Sequence, residues 1–187
     1  MTDRERPMPL WMSWDERRSM TDVQTDFKGI YQHHRLAIYR YVLLRVGSVE
    51  DAEDITAQVF LKAYQKRADY SGKAPVIYWL LAIARRELAD HYRGGSPCTV
   101  LEDDRLADAA PPPEVIAEQN SLLIRVSKAL QALSEDRREA ITLRFFVGLS
   151  NPEIAEWMGK SGDAVAMLVY RGIQDLRTRL GSLEELE

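Results

Sequence analysis

The sequence predicts an all-α protein made of two small helical units joined by a flexible acidic linker. Apolar residues recur at spacings of three and four in both halves of the chain, and no stretch shows the apolar–polar alternation of a strand. Between the halves, GGSPCTVLEDDRLADAAPPP (94–113) lacks this periodicity and ends in three prolines. The 187 residues, 45% of them hydrophobic, suffice for one ordinary core or two small ones.

Composition divides the chain into five segments. The segments are an N-terminal extension (1–25), an N-terminal unit (26–95), a linker (96–120), a C-terminal unit (121–181) and an acidic tail (182–187). The extension contains Trp11 and Trp14, and we expect it to be frayed rather than docked on the N-terminal unit.

Charge is concentrated in the linker. The chain has 25 basic and 29 acidic residues and a net charge of -4. Residues 26–95 carry 11 basic and 8 acidic groups and residues 121–181 carry 9 and 7, whereas the linker carries 1 and 6. The near-neutral total argues against a protein that coats nucleic acid by bulk charge, so any DNA contact must be local.

Composition also excludes several classes. A single cysteine, Cys98, forms no internal disulfide, and the three histidines have no zinc-ligand spacing, so no metal site is expected and a reducing cytoplasm fits. No apolar run approaches the roughly 18 residues of a membrane span, and the N-terminus has no signal-peptide core. We therefore expect no membrane contact.

Three helices are predicted in the N-terminal unit. The first ends near Gly47, and the second begins at Ser48 because SVED reads as a capping box with Asp51 in place of Glu. The third follows Pro75. Its apolar stripe consists of Ile77, Leu80, Leu81, Ala84 and Leu88.

The third helix combines aromatic rings with arginines in two adjacent rows. Seven-residue spacing aligns Tyr78, Arg85 and Tyr92, and likewise Trp79, Arg86 and Arg93. Rings stack on unpaired bases and guanidinium groups hold phosphates, so the rows suit single-stranded nucleic acid. In the alternative reading, the first two rings belong to the core and the arginines form surface ion pairs with Glu87 and Asp90.

The second helix has an acidic and amide-bearing face formed by Asp51, Asp54, Gln58 and Leu61. Such a face can meet a basic partner helix. Acidic residues in a first helical turn also stabilise the helix dipole, which explains Asp51 and Glu53 without a partner.

The C-terminal unit ends in a predicted helix-turn-helix. After a helix through NSLLIRVSKALQAL, Ser134 caps a helix that stops at Gly148, and a capping box at 150–153 starts a short helix from about Asn151 to Met158. In the motif a small residue, a glycine and an apolar residue occupy the fifth, ninth and fifteenth positions, and the second helix enters the major groove. Those positions are Ala155, Gly159 and Val165.

The order of these motifs resembles one family. DAEDITAQVFLKAY, WLLAIARRELADHYR, the linker and LSEDRREAITLRFFVGLSNPEIAEWMGKS follow one another as in extracytoplasmic-function (ECF) RNA polymerase sigma factors, over roughly residues 26–181. The resemblance implies that the units are sigma regions 2 and 4. It also implies that the linker runs through the polymerase near the path of nascent RNA.

The resemblance assigns a role to each segment. The second helix resembles the segment that docks on polymerase clamp helices. The loop RADYSGKAP and the third helix resemble the segment that melts and reads the minus-ten promoter element. The helix-turn-helix resembles the segment that reads the minus-thirty-five element. The expected core-polymerase-binding residues are Asp51, Glu53, Asp54, Gln58 and Phe60. The expected minus-ten residues are Arg67, Lys73, Tyr78, Trp79, Arg85, Arg86, Asp90, Tyr92 and Arg93. The expected minus-thirty-five residues are Arg144, Lys160, Ser161, Asp163, Ala166, Met167, Tyr170 and Arg171.

The chain departs from the family pattern at three places. Ala57-Gln58 replaces a common Gln-Glu pair, Arg86 replaces an Asn, and Ala166 and Leu168 occupy recognition-helix positions that are usually or often basic. We therefore expect Arg144, Lys160, Arg171 and the helix N-terminus near Ser161 to anchor phosphates. The residues expected to face base edges are Ser161, Asp163, Ala166, Met167 and Tyr170.

The predicted function is that of a sigma factor, which binds bacterial core RNA polymerase and directs promoter-specific initiation. No phosphate-cradling loop, nucleophile–base pair or metal cluster is evident in the sequence, so we expect no enzyme, no cofactor and no small-molecule substrate. The alternatives are a stand-alone helix-turn-helix regulator and a degenerate sigma-like protein that sequesters polymerase. Whether an anti-sigma factor holds the protein inactive stays open.

Overall fold

The computed structural model describes residues 26–94 and 113–184, with side chains for 26–94 and 121–179. All regular structure in these residues is helical, as predicted. Expectations for the extension with its two tryptophans, for Cys98 and for most of the linker lie outside the described residues.

The N-terminal unit is built from three helices. These are α1 (Phe27–Val46), α2 (Val49–Gln65) and α3 (Val76–Tyr92), with a short 3-10 turn (Arg67–Asp69) between the last two. Their shared core includes Ile38, Val42, Val59, Leu80 and Leu81, all fully buried.

The predicted helix ends are present in this unit. Gly47 ends α1 with φ +70°, a conformation that glycine adopts without steric cost, and its N–H donates to the Leu43 carbonyl at 2.8 Å. Ser48 caps α2, since its hydroxyl oxygen accepts from the Asp51 N–H at 3.3 Å.

The C-terminal unit contains four helices. These are α4 (Pro113–Gln131), α5 (Glu135–Thr142), α6 (Asn151–Met158) and α7 (Gly162–Glu184). A single π-helical turn, Leu143–Val147, continues α5 as far as Gly148, which has φ +91°. The helix predicted from Ser134 to Gly148 is therefore one α-helix followed by a wider turn.

Two helices extend past predicted segment boundaries. Helix α4 begins at Pro113, so the last eight residues assigned to the linker are helical. Proline fits the first helical turn because its fixed φ suits a helix and because an N–H at that position would make no hydrogen bond within the helix. Helix α7 continues to Glu184, three residues into the predicted tail, because Gly181 costs a helix only about 1 kcal/mol.

The two units pack against each other. Leu44 of α1 is fully buried in a cluster with Leu130, Leu133 and Ile141 of the C-terminal unit. One turn later, Gly47 approaches α4 so closely that an added Cβ would lie 3.0 Å from the Ser127 hydroxyl. Helix α1 therefore contributes to the cores of both units.

Candidate nucleic-acid and polymerase interfaces

The acidic face of α2 is largely open. Glu53 and Asp54 are exposed, and Asp51 and Gln58 are half-buried. Phe60, in contrast, is 3% exposed and packs edge-on against the rings of Tyr31 and Phe27. The expectation that Phe60 offers its side chain to polymerase is corrected, since an aromatic ring on the α1 side of α2 is a core residue.

Helix α3 exposes its basic C-terminal half. Arg85, Arg86, Tyr92 and Arg93 are exposed, and Arg93 forms an ion pair with Asp90. The Tyr92 hydroxyl donates to the Arg45 carbonyl at 2.8 Å, which holds the ring at the end of α1 while 63% of the residue stays exposed. This half of the helix presents cations and one accessible ring, the groups that bind unpaired bases and phosphates.

The N-terminal half of α3 differs from the prediction of two open rows. Tyr78 is 7% exposed, with its ring centroid 5.8 Å from that of Trp157. Trp79 is half-buried, with its ring 5.1 Å from that of Tyr70. Tyr78 is therefore not available for base stacking in this conformation, because helix α6 covers it.

The loop before α3 is held by its own contacts. Arg67 donates to the Tyr64 carbonyl at 2.7 Å and lies 4.0 Å from that ring's centroid, while the Tyr70 hydroxyl donates to the Ala74 carbonyl. Lys73 is exposed. Of the two predicted loop cations, the lysine is therefore the more accessible to a phosphate.

A buried ion pair joins α2 to α3. Glu87 is 6% exposed, and both its carboxylate oxygens lie 2.6–2.7 Å from Lys62 Nζ. In the alternative reading from sequence, Glu87 paired with an arginine of α3 itself. The observed partner comes from the neighbouring helix, so α3 keeps Arg85 and Arg86 for other contacts.

The helix-turn-helix has the predicted local geometry. The Glu153 carboxylate accepts from both the N–H and the hydroxyl of Ser150, Gly159 has φ +63° in the turn, and Val165 is fully buried between the helices. Ala155, at the close-approach position, is 9% exposed. All three position-dependent requirements of the motif are therefore met.

The recognition helix α7 presents a weakly charged face. Asp163, Ala166 and Arg171 are exposed, as are Met167 at 48% and Tyr170 at 60%. Gly172 marks the opposite side, where a Cβ would lie 2.9 Å from Ile141 of α5. The helix therefore packs tightly on α5 and leaves the predicted base-reading residues free.

Two of the predicted phosphate anchors already have partners. Lys160 Nζ lies 3.0 Å from the Asp136 carboxylate, and Arg144 donates to the Leu149 carbonyl at 3.1 Å. The Ser161 hydroxyl oxygen accepts from the Ala164 N–H at 3.2 Å and so serves as a helix cap. Arg171 is the anchor for which the described residues show no such contact.

Sequence reasoning missed the residues that join the two units. Glu139 of α5 accepts from the Tyr41 hydroxyl at 3.2 Å and from Trp157 Nε1 at 3.0 Å, and it forms an ion pair with Arg45. Burial lowers the pKa of Arg45 and raises that of Tyr41. No sequence signal pairs residues almost a hundred positions apart, so only the fold identifies this cluster.

Two properties of the described residues bear on function classes. Among them, no group of three or more His, Cys, Asp or Glu is arranged to hold a metal ion. No helix in that same part of the chain is long and apolar enough to span a bilayer.

The chain matches two family models. Residues 30–96 match Sigma-70 region 2, and residues 123–176 match Sigma-70, region 4. Both matches fall on the units described above, in the same order.

Known proteins agree with these matches. The ECF RNA polymerase sigma factor BldN of Streptomyces coelicolor is 31% identical over 157 residues, which are 80% of this chain and 58% of BldN. RNA polymerase sigma factor CarQ of Myxococcus xanthus is 30% identical over 87% of this chain and 93% of CarQ. In the co-crystal structure of sigma factor RpoE with the anti-sigma factor NepR from Bartonella quintana, one chain shares the fold, with a TM-score of 0.60 and 23% identity over 83% of this chain and 97% of that one.

The chain belongs to the ECF family of RNA polymerase sigma factors, which direct polymerase to promoters. The readings as a stand-alone regulator and as a sequestering protein are not favoured.

Proposed function

We propose that three exposed faces divide the work of promoter-directed initiation in this chain. The acidic face of α2 binds core polymerase, the basic half of α3 binds the melted minus-ten strand, and the outer face of α7 reads the minus-thirty-five element. The observation that carries this assignment is that each face has an exposed charged or aromatic side chain, Asp54 on α2, Arg86 on α3 and Tyr170 on α7, on helices whose opposite sides form the cores. In this proposal the chain binds and positions, and RNA synthesis belongs to the polymerase.

The acidic face of α2 suits a basic partner. Glu53 and Asp54 are neighbours on the second turn of α2, and both are exposed to solvent, which screens their charge. An opposite charge across an interface mainly raises the association rate and aligns the partners. Asp54→Asn is therefore expected to slow binding to core polymerase several-fold, most strongly at low salt.

The basic half of α3 suits single-stranded DNA. Arg86 stands exposed where the family commonly has Asn, and it adds a cation beside Arg85. Base stacking on an aromatic side chain is worth about 1–3 kcal/mol, and Tyr92 presents an accessible ring. This combination supports strand binding after melting rather than tight binding to duplex.

The recognition helix reads DNA with few charges. Apolar contact with thymine methyl groups is available to Ala166 and Met167, and Arg171 remains for a phosphate. Affinity then comes mainly from effective concentration, because polymerase holds both units near the promoter at once. The isolated chain is expected to bind duplex promoter DNA weakly at physiological salt.

In vitro transcription tests the proposal directly. Purified chain and bacterial core polymerase are incubated with genomic fragments, including the one upstream of its own gene, and start sites are mapped with and without the chain. New discrete start sites are expected. Arg86→Gln should reduce open-complex formation, whereas Arg35→Gln, at an exposed arginine on α1, should not. Equal loss in both variants would contradict the assignment to α3.

One further partner and a location follow from the same proposal. RpoE shares this fold and was crystallised with an anti-sigma factor, which supports an inhibitory protein as a partner here. Co-purification of the tagged chain from its native cell, with and without added core polymerase, tests for one. The site of action is the cytoplasm, where the polymerase is.

A further inference from the structure

A cavity of about 570 Å³ is lined by the ends of α1, α3 and α4 and by the first turn of α5. Pockets that hold small molecules commonly measure roughly 300–1,000 Å³ and often lie where two folded units meet. The polar and aromatic residues that line this cavity are Arg45, Tyr92, Gln131, Glu135, Arg138 and Glu139. Its size and position therefore suit a small ligand.

Two of the charged residues in the cavity satisfy each other. The Glu139 carboxylate forms an ion pair with Arg45 and accepts two further hydrogen bonds from the protein. The Arg45 guanidinium also donates to the Tyr41 carbonyl at 3.1 Å and lies 3.7 Å from the centroid of that tyrosine ring. This pair is therefore an electrically balanced part of the wall, and a ligand has to be recognised by the other residues.

Arg138 is a cation that the protein leaves without an anion. It is half-buried, and its side chain makes no ion pair or hydrogen bond within the described residues. Burial is the main reason that the pKa of Arg45 is lowered, and the positive charges of Arg138 and Arg85 lower it further. An anion at Arg138 would offset this repulsion, and a phosphate or carboxylate can accept two parallel hydrogen bonds from one guanidinium.

The same cavity offers an aromatic ring in a fixed position. The Tyr92 hydroxyl donates to the Arg45 carbonyl at 2.8 Å, while 63% of the residue stays exposed. Burial of the hydroxyl raises the pKa of Tyr92, and the charges of Arg45 and Arg138 partly oppose that rise, because both cations lie near it. A planar base can stack on such a ring, and the nearby cation can hold a phosphate attached to that base.

Two hydrogen-bonding side chains complete the cavity. Gln131 Nε2 makes only a long contact of 3.5 Å, to the Arg45 carbonyl, so most of its amide capacity is unused. Glu135 is exposed, and its carboxylate accepts hydrogen bonds but repels a bare anion. A ligand that brings hydroxyl or amino donors together with its phosphate fits this combination better than inorganic phosphate does.

We propose that this cavity binds a nucleoside monophosphate, with the phosphate on Arg138 and the base against the ring of Tyr92. The hydroxyl groups of the ribose and the amino group of the base then donate to Glu135 and to the oxygen of the Gln131 amide. An inorganic anion would use the arginine alone, and an uncharged ring compound would use the tyrosine alone. A nucleotide is the class of ligand that uses both.

The cavity shares one residue with the face of α3 proposed for the melted strand. Tyr92 belongs to both sites, whereas Arg86 does not line the cavity and Arg138 lies on α5. Substitutions at these two arginines therefore show which site a nucleotide occupies. The proposal goes beyond the promoter contacts, and its test needs neither polymerase nor DNA.

Isothermal titration calorimetry of the full chain tests the proposal with three probes. Adenosine monophosphate carries both the base and the phosphate, adenosine lacks the phosphate, and inorganic phosphate lacks the base. The monophosphate should bind at least about tenfold more tightly than either of the other two, because each of them loses one of the two main contacts.

Four variants locate the bound nucleotide. Arg138→Gln should weaken binding of the monophosphate at least about tenfold, and Arg138→Lys should weaken it less, because lysine keeps the charge but loses the planar fork. Tyr92→Leu should weaken binding of the monophosphate and leave that of inorganic phosphate unchanged. Arg86→Gln is the matched control and should leave the affinity for the monophosphate unchanged. Circular dichroism confirms that each variant is folded.

The outcomes separate the cavity from other sites. No binding of adenosine monophosphate at millimolar concentration would overturn the proposal, and so would equal binding of adenosine or of inorganic phosphate. An equal loss of affinity in Arg86→Gln and Arg138→Gln would place the nucleotide on the strand-binding face of α3 and would also overturn it. Tight binding that Arg138→Gln weakens and Arg86→Gln does not would support it, whether or not the chain directs transcription.

Discussion

Truncating Leu44 to alanine should open the protein without disturbing either promoter-contact face. Leu44 has no exposed surface and packs against Leu130, Leu133 and Ile141 of the other unit. Removing a fully buried leucine side chain costs about 2–5 kcal/mol, from lost apolar transfer plus the cavity left behind. That cost falls on the closed form, in which the two units pack together, because an open form with the units apart would expose Leu44 to water.

The population shift follows from this energy. Each 1.4 kcal/mol changes an equilibrium constant tenfold, so the ratio of closed to open chain should fall by roughly 30- to 4,000-fold. Pulsed dipolar spectroscopy between nitroxides at Gln32→Cys on α1 and Gln174→Cys on α7, both exposed, in a Cys98→Ser background should then show a short distance in the parent and a long distance for Leu44→Ala.

Val59→Ala is the matched control. Val59 is also fully buried, but it lies on α2, whose main helix contacts are with α1 and α3. This variant should lose stability in urea while keeping the short distance. If Leu44→Ala likewise lowers only the unfolding free energy and keeps the short distance, Leu44 is an ordinary core residue of one cooperative body and the reasoning fails.

Three other predictions concern stability and DNA contact. Burial, with a smaller contribution from the neighbouring imidazole of His33, lowers the pKa of His34 in the folded chain from 6.5 to about 4. As the pH falls, the His34 imidazole of the unfolded chain is therefore protonated before that of the folded chain. The stability that neutral His34 contributes is thus complete above about pH 6.5 and is lost towards pH 4, by roughly 2–3 kcal/mol at about 1.4 kcal/mol per pKa unit. The urea midpoints at pH 7 and pH 4.5 should therefore differ less for His34→Gln than for the parent or for the control His91→Gln. Lys62→Met leaves the buried Glu87 carboxylate without its cation and should lower the free energy of unfolding in urea by about 2 kcal/mol. This is less than the roughly 3–5 kcal/mol of a fully buried pair, because the lysine side chain is 41% exposed. No loss of stability would mean that water reaches Glu87. Arg171→Gln should weaken holoenzyme binding to duplex minus-thirty-five DNA equally for all sequences, and it should lower the salt dependence of that binding by about one phosphate contact. A change in base preference would instead place Arg171 at a base edge.

Local signals in the sequence were sufficient for most of the fold. Glycine at 47, 148 and 159 and serine at 48 and 150 each act within one helical turn, so the caps and the turn of the helix-turn-helix could be read from neighbours alone. Two helices extend past predicted segment boundaries. Composition and charge set those boundaries, whereas α4 begins at Pro113 and α7 continues to Glu184.

Exposure of the candidate site could be predicted only in part. Asp54 of the acidic face of α2 and the outer residues of α7 are exposed, because helical periodicity separates a buried side from an exposed one, whereas Asp51, Gln58 and Leu61 are half-buried. Phe60 and Tyr78 were misjudged, since periodicity does not show which neighbouring helix covers a ring. Lys160 and Arg144 likewise had partners that spacing along the chain does not reveal.

The sequence by itself determined the helices, their caps, the order of the units and, through the motif order, the family. Each of these depends on interactions within about four residues or on a pattern read along the chain. Only the tertiary structure decided that Leu44 belongs to the core of the other unit and that Glu139 gathers Tyr41, Arg45 and Trp157. Such contacts join residues 18 to almost 100 positions apart, and they depend on how helix surfaces fit together in space.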